Sequence, residues 1–237
     1  MARRPRLKEV KHTMKRSLIT PLRYQLLTYR LDQLWLPAAL WVLFAIMSAL
    51  MRSNSNYFDI ATAYLGFVLP LIGGVMGAYA ILDDAALELQ MTTPRPVWAL
   101  LLERLGTIFV IQALAAISFQ IYLAALSVDL APLGGLLARQ AVWVVPSLTC
   151  MTLGSTLSFV LAQSLPAAMV TAFLWLAQLL LRDGFQSDPI GRFIFLFLGV
   201  RDPHNPDLLG NQLCLSGLAC LFFLIAWSFF KRQERYL

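Results

Sequence analysis

Apolar residues gather in six runs, at about 35–51, 60–82, 105–126, 136–161, 166–181 and 212–230. The shortest lie near the lower end of the roughly 17–25 residues that a helix needs to cross a bilayer. Lipid offers the backbone no hydrogen-bonding partner, so spans of this kind must be helical. The pattern predicts an all-α integral membrane protein with six transmembrane helices. Residues 162–166 break the long stretch between runs four and five, which makes two spans there and not one. Run two carries Gly73 and Gly77, a GxxxG pair that lets two helix backbones approach closely. Its partner could be another helix of this chain or of a second copy. Run four is rich in small polar residues, among them Ser147, Thr149, Thr152, Ser155 and Thr156. Helix packing explains them better than a substrate-binding stripe, because such hydroxyls bond back to their own helix or across to a neighbour.

The polar interruptions have patterns of their own. Before the first run, Thr20-Pro21 reads as an N-cap and first helical residue. Leu22, Leu26, Leu27, Leu31 and Leu34 then recur at three- and four-residue spacing, the mark of an amphipathic helix lying in the headgroup plane. Between runs two and three, residues 83–104 place Asp84, Glu88 and Thr92 on one helical face. Thr93-Pro94 starts a second helix, and Pro94 and Pro96 end the first near Thr92. The expected shape is helix, sharp corner, helix, held to the membrane face by Leu87, Leu89, Met91 and Trp98. Between runs five and six, residues 193–200 form an apolar stretch too short to cross, set between Arg192 and Arg201. That stretch either dips into the membrane and returns or lies flat at the interface.

Composition agrees with lipid as the solvent: of 237 residues 59% are hydrophobic and 14% charged, and mean hydropathy is +0.67. Under the six-span reading, fourteen of the nineteen basic residues fall on the side of the termini. Only Arg52, Arg139, Arg182, Arg192 and Arg201 fall on the other. The bias places both termini in the cytoplasm, in a multi-pass protein of the cell membrane. The chain then reads as one permease-sized domain, 1–237: a basic arm and amphipathic helix at 1–34, a bundle at 35–230 and a tail at 231–237. The adjoining span accounts for the basic arm more simply than nucleic-acid binding does.

Several chemistries lack their residues. No charge sits mid-span, as the relay of an ion-coupled carrier needs. His12 and His204, the only two histidines, lie outside the apolar runs, so Ser147 and Ser155 have no base. The three cysteines show no metal or redox spacing. No phosphate loop occurs, so the chain is expected to be no enzyme and to hold no cofactor or metal itself.

With these pieces in place, the chain resembles the membrane-spanning subunits of ATP-binding-cassette exporters of the type-2 permease class. The likeness covers nearly its whole length. It rests on the basic amphipathic helix, the six runs, the basic tail, the segment after run five and above all LELQMTTPRPVW at 87–98. Glu88, Thr93, Pro94 and Arg95 occupy the family's acidic, small-Pro and basic places; Pro96 departs from it. The resemblance implies that Asp84, Glu88, Leu89, Met91, Thr93, Pro94 and Arg95 form a coupling helix. That helix would dock in a separate ATP-binding subunit, which would bind the ATP and magnesium. It also implies a second permease copy, or a related chain, around a central path. A competing reading is a membrane-embedded assembly, anchoring or sensor protein that docks a cytoplasmic partner without transport.

Overall fold

The computed structural model describes residues 31–52, 57–82 and 97–231. The chain divides into two compact units, Met1–Trp35 and Leu36–Leu237, and nearly all described residues belong to the second. Among the described residues every regular element is helical. Besides a 3-10 turn at Ala131–Leu133, these are in chain order α1 (Leu31–Leu50), α2 (Tyr57–Tyr79), α3 (Val97–Ala125), α4 (Leu136–Leu161), α5 (Ser164–Leu180), α6 (Arg182–Ser187), α7 (Gly191–Ile194), α8 (Leu198–Arg201) and α9 (Leu208–Phe230). Helices α2, α3, α4 and α9 are long and apolar enough to cross a membrane, whereas the apolar part of α1 (Leu34–Leu50) and α5 are shorter.

Helix directions alternate. Residues 73, 74 and 77 of α2 meet 147, 150 and 151 of α4 in rising order, so these two run parallel. Helices α4 and α9 are parallel as well, since Thr149 meets Leu215 and Thr156 meets Phe222. Helix α3 runs against α2: Tyr64 packs on Phe119 while Leu69 meets Gln112. Helix α5 also opposes α2, with Thr171 against Gly74 and Trp175 against Phe67. The Trp41–Ser118 and Ala45–Tyr122 pairs set α1 parallel to α3. Six helices therefore pass up and down in chain order. Helices α2 and α4 are the inner ones, with 72% and 61% of their most apolar stretch buried against 28% for α3 and 22% for α9.

The connections have local causes. Helix α3 ends in a Schellman cap: the Val128 amide donates to the Leu123 carbonyl and the Ser127 amide to that of Ala124, with Ser127 left-handed at φ 61°. Two residues, Ala162 and Gln163, reverse the chain between α4 and α5, and Ala162 takes a left-handed φ of 53° to do so. Helix α2 widens into a π-helical stretch at Tyr64–Val68. Pro70 follows, and its missing N–H and its ring disrupt bonding to the carbonyl four residues back, that of Gly66.

Some expected boundaries move. Helix α3 begins at Val97 and takes in Glu103 and Arg104, eight residues before the apolar run. Hydropathy ends a span at charge, but nothing between Pro96 and Leu105 breaks a helix. Likewise α2 starts at Tyr57 and α9 at Leu208, each a few residues ahead of its apolar run. Residues 31–34, expected in the amphipathic helix, are continuous with α1.

Candidate functional site

Asp84, Glu88, Leu89, Met91, Thr93, Pro94 and Arg95 lie outside the described residues, as do residues 1–30 of the basic arm and 232–237 of the tail. What the structure supplies is the bundle to which that segment connects. Two features stand out in it: a glycine seam at its centre and a chain segment folded into one of its ends.

The seam joins α2 to α4. A Cβ at Gly77 would overlap the Met151 carbonyl, and one at Gly154 would overlap the Gly74 carbonyl and come within 3.1 Å of the Ala78 nitrogen. Backbone thus lies on backbone, and only glycine fits. Gly73 faces the Gln112 amide, and Gly74 faces Thr171 and Cys150. The Gly73–Gly77 pair therefore meets a helix of its own chain. On its far side α4 is tied to α9 by hydroxyls: Thr149 reaches the Leu215 carbonyl at 3.0 Å and Thr156 that of Phe222 at 2.7 Å. Thr152, between them, reaches only carbonyls of its own helix, at Leu148 and Thr149.

The α3 side is built differently. Helix α3 meets α1 and α2 through large rings: Trp41 on Phe119 and Tyr122, and Tyr64 on Phe119 with centroids 4.3 Å apart. Its polar ties are side chains, Trp41 Nε1 to Ser118 Oγ at 3.1 Å, Tyr122 Oη to the Ala45 carbonyl at 2.7 Å and Gln112 Nε2 to the Leu69 carbonyl at 3.0 Å. Further along, Gln120 and Gln140 bond each other and link α3 to α4.

At the end where α2, α4 and α9 begin, residues 195–200 turn inward. Phe195, Leu196, Phe197, Leu198 and Val200 are all buried. The first four pack on Phe67, Val145, Cys150, Trp175, Leu179 and Leu215. Phe197 sits 4.9 Å from Phe67 and edge-on to Trp175, while Val200 fills the space a side chain at Gly66 would need. So the apolar stretch between Arg192 and Arg201 folds into the bundle.

A buried turn leaves backbone groups that must be satisfied. Two side-chain amides do this. Asn211 on α9, 2% exposed, donates from Nδ2 to the carbonyls of Arg192 and Phe195 at 2.7 and 2.9 Å. Gln178 on α5 accepts from the Leu196 amide at 2.9 Å and donates to the Ile194 carbonyl at 3.3 Å. The π-helical stretch shares the load: the Phe67 carbonyl accepts from Trp175 Nε1 at 2.9 Å. At the half-exposed rim Arg192 pairs with Asp207 at 2.9 Å. Sequence reasoning passed over Gln178 and Asn211. The signal was a lone amide inside an apolar run and another at the edge of the next.

The described residues contain no group of three or more His, Cys, Asp or Glu placed to hold a metal ion. No family model, no curated protein and no solved structure matches this chain.

Proposed function

We propose that this chain is the permease subunit of an ATP-driven transporter, an exporter by its resemblance to the type-2 permease class. On this reading it forms a transport path with a second permease copy or related chain, and a separate ATP-binding-cassette subunit drives it. The observation that carries the reading is the sequence segment at 83–96 joined directly to α3. That helix runs for 29 residues without a break, or about 44 Å at 1.5 Å per residue. It exceeds the roughly 30 Å hydrocarbon core, and on this reading the first turns, which carry Glu103 and Arg104, would stand in the cytoplasm. Force on a docked coupling helix would pass along α3 as a lever. Ring-to-ring packing against α1 and α2 would let α3 shift, while the glycine seam and the threonine ties hold α2, α4 and α9 as a fixed block.

Six alternating helix directions support six spans with both ends of the bundle on one side, and the charge bias of the sequence makes that side the cytoplasmic one. Parallel α4 and α9 require one return pass between them, and α5 supplies it. With 17 residues, α5 is at the lower limit of a span. Segment 195–200 is then re-entrant from the outer face. Its irregular backbone is tolerated at depth because Gln178 and Asn211 satisfy it.

Single cysteines at Ser17, Ser53 and Ser187, in a chain whose own cysteines are replaced, test the topology. Ser53 and Ser187 should label from outside and Ser17 only from inside. For the function itself, the tagged chain is taken from its native membrane in mild detergent. A copurifying phosphate-loop ATPase supports the permease; a partner without ATPase activity favours the assembly or anchoring protein.

A further inference from the structure

Two fully buried polar atoms at the centre of the bundle carry no hydrogen bond to protein: Gln112 Oε1 and Ser147 Oγ. Both residues are shielded completely, at 1% and 0% exposure, and both lie against the bare Cα of Gly73. The Gln112 amide nitrogen comes within 2.5 Å, and the Ser147 main-chain carbonyl oxygen within 3.1 Å, of the point where a Gly73 Cβ would stand. That end of the amide is fixed, since Nε2 donates to the Leu69 carbonyl at 3.0 Å. Turning the amide over would set oxygen against oxygen there, so Oε1 keeps its free lone pairs.

We infer that α2, α3 and α4 enclose a bound water molecule beside Gly73, donating to Gln112 Oε1 and bonded to the Ser147 hydroxyl. The chemistry selects water. The site offers an acceptor that can only accept and a hydroxyl that can do either, and apolar side chains such as Ile72 and Ile108 are buried nearby on α2 and α3. Buried waters sit where otherwise unsatisfied polar groups converge, and they are costly to remove. Gly73 contributes by being small: a side chain there would displace the Gln112 amide. The same boundary continues along α2. Tyr64 Oη and, on α1, Ser48 Oγ are also buried without a partner.

A double-mutant cycle tests the site. Ser147→Ala, Gln112→Met and the double variant are melted in detergent. If a water links the two residues, Ser147→Ala lowers the Tm in the wild-type background and has little or no effect beside Gln112→Met. The Leu69 bond lost in Gln112→Met cancels in the cycle. The inference is overturned if Ser147→Ala leaves the Tm unchanged or raises it, as removal of an unpaired hydroxyl would. An equal loss in both backgrounds overturns it too. Should Gln112→Met fail to fold, X-ray radiolysis of the wild type gives a second reading, because bound water yields hydroxyl radicals in place. Buried Met151, one turn beyond Ser147, should be oxidised in the wild type and several-fold less in Ser147→Ala. No oxidation of Met151, or equal oxidation in the two, overturns the inference.

Discussion

Adding one methyl group at Gly154 probes the seam that fixes α2 to α4. A Cβ there meets the Gly74 carbonyl and the Ala78 nitrogen. These are main-chain atoms of a helix, with no flexible side chain to swing aside. The helices must part, and overpacking of this kind costs roughly 1–3 kcal/mol. Separation also weakens dispersion contacts along the seam. For a chain of 237 residues, each kcal/mol moves the Tm by about 2–4 °C, so Gly154→Ala should melt about 2–12 °C lower. Gly77→Ala, facing the Met151 backbone, should behave alike. The controls are Gly106→Ala on α3 and Gly217→Ala on α9, where nothing lies within 4 Å of the added carbon. There alanine only gains helix propensity, about 0.5–1 kcal/mol. The assay is thermal unfolding in detergent, followed by tryptophan fluorescence. If Gly154→Ala melts with the wild type or above it, backbone contact does not hold this seam.

Three further outcomes follow from the geometry. Thr149→Val and Thr156→Val remove the hydroxyls that reach α9 and should each cost about 0.6 kcal/mol, up to about 1.7. Thr152→Val, whose hydroxyl bonds only within α4, should cost less, as thermal melts will show. Asn211→Leu leaves the carbonyls of Arg192 and Phe195 without their donor, at about 1–3 kcal/mol for each buried group. Limited proteolysis should then cut near residues 188–201 faster than in the wild type. Asp207→Asn, by contrast, breaks an ion pair a third exposed on each side and should change stability by less than about 1 kcal/mol, with the small effect fading as salt is added.

The helices were legible because apolar runs of this length read as spans, and a span must be helical. Apolar runs located α1 to α5 and α9, with α4 and α5 separated by the break at 162–166, and the left-handed turn at Ala162 falls where Gln163, Ser164 and Pro166 interrupt the run. Helix ends were less legible. Hydropathy marks where a chain meets polar solvent, whereas α3 continues through Glu103 and Arg104 because no residue after Pro96 stops it. Gly73 and Gly77 announced a close approach without naming the partner, since spacing says nothing of what lies opposite. Gly73 meets Gln112 and the Ser147 carbonyl, Gly77 meets the Met151 backbone, and Gly154 on α4 meets Gly74 and Ala78. The inward fold of residues 195–200 was one of two options in the sequence. The choice depended on Gln178 and Asn211, whose targets are main-chain carbonyls and an amide distant along the chain. Such pairings leave no local pattern to read.

The most direct test of the permease reading pairs Leu89→Asp with the wild type in the complex drawn from its native membrane. The wild-type particle should carry a phosphate-loop ATPase and hydrolyse ATP. The Leu89→Asp particle should lose both, while its Tm, set by the glycine seam and the threonine ties, stays at the wild-type value. Glu88→Ala should fall between them, because loss of a charge-assisted contact of roughly 1.5–3 kcal/mol weakens docking about tenfold or more. A wild-type particle without any ATPase, or a Leu89→Asp particle that keeps its ATPase and full hydrolysis, would contradict the account.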